Sequence, residues 1–200
     1  MTGLSGILLA GGASRRFGRP KLLEPVAGSP LFHLPLRALL ATCEDVVIVL
    51  APGAPAPPLP EGAARVSLAR DPAAYEGPLA GTAAGLASVR GERAVVVGGD
   101  MPGVSSGVII RMAQEPPVDG RDAVLLADAE GPRPLPAVVR VAPARELART
   151  LLEGGERRLR ALVLGLGPVI LDQAAWRAVD ARGAWRQDVN VPADLERERP

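Results

Sequence analysis

A glycine pair, Gly11-Gly12, is followed within ten residues by four cations, Arg15, Arg16, Arg19 and Lys21, and no acidic residue appears before Glu24. Such a string suits a polyphosphate. Glycine lacks Cβ, so the chain can take unusual dihedrals and bring backbone N–H groups close to a ligand. Consecutive N–H groups then form an anion-binding concavity. Arginine offers a planar fork to two oxygens, and lysine a compact point charge that can follow a moving one. The spacing is neither G-x-x-x-x-G-K-[ST] nor G-x-G-x-x-G, which excludes the P-loop and dinucleotide fingerprints. A basic surface loop that ends a strand is the competing reading.

Two carboxylates and an amide lie further along. Asp100 closes the apolar run VVVGGDMP. A carboxylate just past a buried strand suits a magnesium ion bridging triphosphate oxygens, because magnesium takes one or two protein oxygens and leaves the rest to phosphate and water. Asp71 opens DPAAYEGPLAG, in a polar loop leading into a helix, and Asn190 stands in DVNVPADL. Each also has a plainer reading, as a helix cap or a turn residue. Lys21 is the only lysine and Asn190 the only asparagine in a chain whose basic charge is almost all arginine, which makes both positions informative.

The elements that must position these groups alternate. Apolar residues 4–10 read as a buried strand stopping at the glycine pair. A helix over about 30–42 follows, with Ser29 as N-cap and Pro30 at N1, its start kinked or delayed by Pro35. Residues 45–51 form a second strand, APGAPAPPLPEG a surface connection, and 64–69 a short strand. A helix over 79–90, a strand over 93–98, a helix near 104–114 and a strand over 122–127 come next. After Gly131, PLPAVVR reads as a strand, 142–153 and 155–164 as helices, and PVILD as a late edge strand. This pattern predicts an α/β fold of three layers, with a mostly parallel sheet covered on both faces. Residues 1–200 are expected to form a single domain, with the nucleotide part over about 1–105 and the acceptor part over about 106–200.

Composition bounds the function. With 48% hydrophobic residues the chain can build a core, and a net charge of +1 gives no global pull toward nucleic acid or membrane. One cysteine, Cys43, excludes an internal disulfide framework and a thiolate metal cluster. The N-terminus lacks the basic start and cleavage site of a signal peptide, so a cytoplasmic location is expected. His33 and Cys43 read as packing or surface residues. Trp176, Trp185, Tyr75 and the two phenylalanines read as core or loop anchors rather than stacking platforms.

LLAGGASRRFGRPK resembles the signature loop of the MobA-like molybdenum cofactor guanylyltransferases and their nucleotidyltransferase relatives, a pattern close to L-A-G-G-x-S-x-R-M-G-x-D-K. Leu9, Ala10, Gly11, Gly12, Ser14, Arg16, Gly18 and Lys21 match it, while Phe17 replaces the methionine and Pro20 the aspartate. Gly77-Pro78-Leu79-Ala80-Gly81 match the family's G-P-L-A-G, and the aspartate before that string, here Asp71, helps hold the nucleoside in the family. The strand-then-Asp-x-Pro motif implies magnesium at Asp100. DVNVPADL resembles N-x-N-T-P-E-D-L, whose second asparagine, here Asn190, is placed at the metal, while Asp188 stands at the first.

The resemblance implies a Rossmann-like nucleotidyltransferase that uses Mg2+ to transfer GMP from GTP to the phosphate of molybdopterin cofactor, releasing pyrophosphate. Arg16, Lys21 and Asp100 are its expected catalytic residues. Arg157, Arg158 and Arg160 lie in GERRLRAL, which resembles a helix start of the family. They are expected either to hold the acceptor phosphate or to form a solvated basic face. Cytidylyl transfer to the same cofactor, or nucleotidyl transfer to another small phosphorylated molecule, is an alternative, because Pro20 resembles the cytidylyl- and sugar-nucleotide-transferring branches and Ala51-Pro52 stands where guanylyltransferases carry asparagine. A nucleotide-binding protein without turnover is another.

Overall fold

The computed structural model describes residues 3–12, 17–26, 28–72, 77–116 and 118–197, the last three by backbone alone. Its strands are β1 (Leu4–Leu9), β2 (Pro25–Val26), β3 (Ser29–Pro30), β4 (Asp45–Leu50), β5 (Val66–Arg70), β6 (Arg93–Gly98), β7 (Ala123–Asp128), β8 (Gly131–Arg140) and β9 (Val169–Leu171). Its α-helices are α1 (His33–Thr42), α2 (Pro78–Ser88), α3 (Ser106–Ala113), α4 (Val141–Glu153), α5 (Leu159–Gly165), α6 (Gln173–Arg177) and α7 (Pro192–Arg197).

Seven strands form one sheet in the order β5-β4-β1-β6-β8-β7-β9. β8 runs antiparallel to both its neighbours, and every other pairing in the sheet is parallel. The strands are continuous apolar runs because both faces are covered, and alternate side chains serve opposite faces. Leu8, Ile48 and Val97 pack with Phe32, Leu36, Ile109 and Trp176, from α1, its N-terminal flank, α3 and α6. Ile7, Val47, Val49 and Val96 pack with Leu79, Leu86, Ala144 and Leu162, from α2, α4 and α5. The result is the expected three-layer α/β/α arrangement. Each fully buried side chain of this kind, such as Ile7, contributes about 1.5–3 kcal/mol.

Small residues let α2 lie close to the sheet: a Cβ on Gly85 would stand 2.6 Å from Ile7 Cγ2. α1 begins at His33 rather than at Pro30, as Pro35 foretold. Pro35 then falls in the first turn, where its missing N–H costs no intrahelical bond. Residues 25–26 and 29–30 instead make a small antiparallel ribbon, β2–β3, and Gly28 between them has φ 80°. Among the described residues no helix is long and apolar enough to cross a membrane.

Candidate active site

The parallel strands end level with one another. Ala10 N–H donates to Val49 O at 2.8 Å, Asp71 N–H to Leu50 O at 2.9 Å, and Gly99 N–H to Leu9 O at 2.9 Å. The glycine pair, Asp71 and the Asp100 turn therefore leave one edge of the sheet side by side, where α/β proteins bind ligands. Leu9 and Ala10 are half-buried at that edge. Neither Gly11 nor Gly12 takes a left-handed φ, so the unusual dihedrals expected of the pair are not used. Gly11 serves close approach instead: a Cβ there would lie 3.3 Å from the Ala51 nitrogen. A Cβ on Gly12 would meet nothing within 4 Å.

Lys21 opens a short 3-10 turn (Lys21–Leu23), and its side chain is 13% exposed. Its ammonium donates to Asp100 Oδ2 at 2.6 Å and to the carbonyl oxygen of Val189 at 2.9 Å. Val189 N–H in turn donates to Asp100 O at 2.9 Å. Phe17, Val26, Leu31 and Val189 form a small apolar cluster that fastens the N-terminal ribbon to the C-terminal string. Two of the resemblance's strings thus meet at Asp100.

Asn190 is exposed, and its N–H, with that of Val191, donates to Asp194 Oδ2 at 2.9 and 3.0 Å. Asp194 therefore closes the turn that leads into α7. The Asp188 carboxyl is raised above the ordinary range, first by desolvation and then by the negative charge of Asp100, with Arg133 and Lys21 opposing.

Asp71 is buried, and a Cβ on Gly81 would sit 3.6 Å from its Oδ2 and 3.7 Å from Leu9 Cδ2. The carboxylate therefore lies between β1 and the first turn of α2. Gly77 precedes that helix at φ 99°, Pro78 occupies N1, and Leu79 and Ala80 are buried beneath. The helix start leans on the α4–α5 connection, where Leu79 N–H donates to Arg157 O at 3.4 Å.

The arginines split. Arg19 is paired with Glu24, its Nη2 2.7 Å from Oε2, so one of the four loop cations is compensated locally. Arg158 places Nη2 2.7 Å from Glu156 Oε2 and Nε 3.0 Å from Oε1. Bonds from the Arg158 side chain and from the Arg158 and Arg157 N–H groups hold the Glu156 carboxyl down at about 2. Arg157 Nη1 donates to Glu156 O at 3.0 Å, and Arg160 Nη1 to Pro132 O at 2.9 Å. Ser14, Arg15, Arg16 and Tyr75 lie outside the described residues.

The remaining candidates are structural. His33 is buried on α1, its Nε2 2.7 Å from Pro58 O, and it ties down the proline-rich connection. Trp176, Trp185, Phe17 and Phe32 are core residues, and Cys43 is buried at the end of α1.

An oxygen-only donor set fits a hard cation. Among the described residues no three or more His, Cys, Asp or Glu converge as a metal cage.

The family description "MobA-like NTP transferase domain" matches residues 6–169. A probable molybdenum cofactor guanylyltransferase of Chloroflexus aggregans is 32% identical, over 96% of this chain and 92% of its own. A probable molybdenum cofactor guanylyltransferase of Mycolicibacterium paratuberculosis is 36% identical over 80% of each chain. The solved structure of molybdopterin-guanine dinucleotide biosynthesis protein A from Archaeoglobus fulgidus superposes with a TM-score of 0.76 at 23% identity, covering 97% of this chain and 96% of that one. The 2-C-methyl-D-erythritol 4-phosphate cytidylyltransferase of Thermus thermophilus gives 0.66 at 18% identity, covering 96% and 95%. The two structures share the fold, and the sequence match carries the assignment: the chain belongs to the MobA-like NTP transferase family.

Proposed function

We propose that the protein transfers the GMP moiety of GTP to the phosphate of molybdopterin cofactor in a magnesium-dependent reaction. The observation that carries the reading is the Lys21–Asp100 pair, closed by the Val189 carbonyl beside the glycine loop. An acceptor phosphate oxygen attacks the α-phosphorus, the new P–O–P link forms, and the bond from the α-phosphorus to the bridging oxygen breaks as pyrophosphate leaves. The acceptor is already anionic, so no general base is required. In such transfers the protein contributes mainly position and charge. Lys21 and Arg16 would stabilise charge on the α- and β-phosphate oxygens, aided by N–H groups of the glycine loop. Asp71, buried beside Gly81, would accept hydrogen bonds from base or ribose donors. Magnesium, when bound, would neutralise the triphosphate and fix its geometry. Asp100 and Asn190 would hold it.

A second reading, cytidylyl transfer, is favoured by one observation: the segment packed against Gly11 is Leu50-Ala51, and neither it nor the following Pro52 offers a side-chain amide to a base. The test is incubation with molybdopterin cofactor, magnesium and each of GTP, CTP, ATP and UTP, with the product identified by mass. A GMP adduct is expected. A CMP adduct alone would select the second reading, and no adduct with any nucleotide would overturn both.

A further inference from the structure

β6 and β8 pair at Arg93↔Arg140, Ala94↔Val139, Val95↔Val138 and Val96↔Ala137. Because β8 is antiparallel to β6, its residues before Ala137 run on past the last pair toward the end of β6, which places Arg133 at the ligand edge on the strand next to the one that Asp100 follows. Pro132 and Pro134 flank Arg133. Each proline fixes its own φ, and Pro134 holds Arg133 extended, so a long cation stands on stiff backbone at the ligand edge. The Arg160 bond to Pro132 O ties this stretch to α5.

The strand order gives Arg133 its task. Asp71 follows β5, the glycine loop follows β1, Asp100 follows β6, and Arg133 lies on β8, next in line. Neighbouring strands are about 4.8 Å apart, so these stations follow the length of a nucleoside triphosphate from its nucleoside end toward the reacting phosphate and then one strand beyond. The group expected one strand beyond the α-phosphorus is the incoming nucleophile.

Arg133 is also held loosely. Its Nη1 is 3.7 Å from Asp128 Oδ2 and 3.5 Å from Glu130 Oε2, both longer than a good hydrogen bond. Arg158, in contrast, is committed to Glu156 by a short fork. A phosphate approaching this corner meets several carboxylates, and Arg133 is placed to offset them.

We propose that Arg133 grips the phosphate monoester of the acceptor and aims it at the α-phosphorus. This rests on the transferase reading above. The experiment compares binding of molybdopterin and its dephosphorylated form to wild-type, Arg133→Gln and Arg133→Lys proteins by tryptophan fluorescence, alongside GTP affinity and steady-state kinetics. Wild type is expected to prefer the phosphorylated form by about tenfold or more, the size of one charge-assisted hydrogen bond. Arg133→Gln loses that preference and raises the acceptor KM more than it lowers kcat. Arg133→Lys recovers part of it, and GTP affinity stays unchanged in both variants. A wild-type protein indifferent to the phosphate, or a glutamine variant that keeps the preference, overturns the proposal. The preference is read by binding alone, so it stands apart from the transferase reading, which fails if wild type forms no dinucleotide.

Discussion

The ammonium of Lys21 stands 2.6 Å from Asp100 Oδ2 and 2.9 Å from the carbonyl oxygen of Val189, which brings the opening loop, the end of β6 and the C-terminal string to one point. A part-buried ion pair of this kind is weak evidence of a stabilising role, because desolvation offsets much of its attraction. The Asp100 carboxylate is 29% exposed and can rehydrate if its partner is removed. The pair is therefore better explained by charge the site must handle than by folding.

Lys21→Ala and Asp100→Ala should each lower turnover by about a hundredfold or more, the size of a lost transition-state charge contact. Stability should fall by about 1 kcal/mol or less in Lys21→Ala, where Asp100 can rehydrate, and by more in Asp100→Ala, which takes the carboxylate from a largely buried ammonium. Single-turnover rates and thermal melts check both halves. Near-wild-type rates in either variant would remove the residue from the mechanism.

Gly77 and Gly12 should separate backbone strain from ligand approach. Gly77 has φ 99°, and a Cβ there would sit 2.7 Å from Arg157 O. Gly77→Ala is expected to cost about 1–3 kcal/mol of stability. Gly12 has room and no left-handed φ, so Gly12→Ala should melt like wild type while raising the GTP KM. Denaturant titrations with nucleotide kinetics decide the matter, and an unchanged KM for Gly12→Ala would show that the loop does not approach phosphate there.

The two tryptophans should respond unequally to phenylalanine. Trp176 Nε1 donates to Ala127 O at 2.8 Å, whereas Trp185 Nε1, equally deep, has no hydrogen-bond partner among the described residues. Trp176→Phe strands a carbonyl and gives up a bond, while Trp185→Phe removes a buried donor that was never satisfied. Urea unfolding should show the larger loss for Trp176→Phe, by about 1 kcal/mol or more. Equal losses would mean that the Trp185 indole nitrogen is satisfied in solution.

Cys43 should be inert in the native state. Burial pushes its thiol up to about 11, against a smaller lowering by the Thr42 hydrogen bond, so the thiolate is scarce at pH 8. A disulfide reagent at that pH should react slowly until denaturant is added, and fast native labelling would contradict the packing around α1.

Much of the fold was legible because parallel strands covered on both faces are written as uninterrupted apolar runs. VVIV in β4 and VVV in β6 leave little choice. The β2–β3 ribbon was not seen, since two-residue strands carry no periodicity, and Ser29-Pro30 reads locally like a helix start. α6 escaped for the same reason, although its buried Trp176 anchors one face of the sheet. At the site, Lys21, Asp71 and Asp100 could be picked out by residue type and neighbouring string. The share of Val189 could not, because a backbone carbonyl has no signature in sequence. Arg133 was hidden differently: its place at the ligand edge depends on β8 running backward against β6, and a strand's direction is not written in its apolar pattern.

The bond between Lys21 and the Val189 carbonyl spans 168 residues. A ribosome that has finished the glycine loop and Asp100 has still to make the backbone oxygen that accepts from Lys21. The sheet can therefore begin to assemble during translation, while chemical competence waits for a late ring closure.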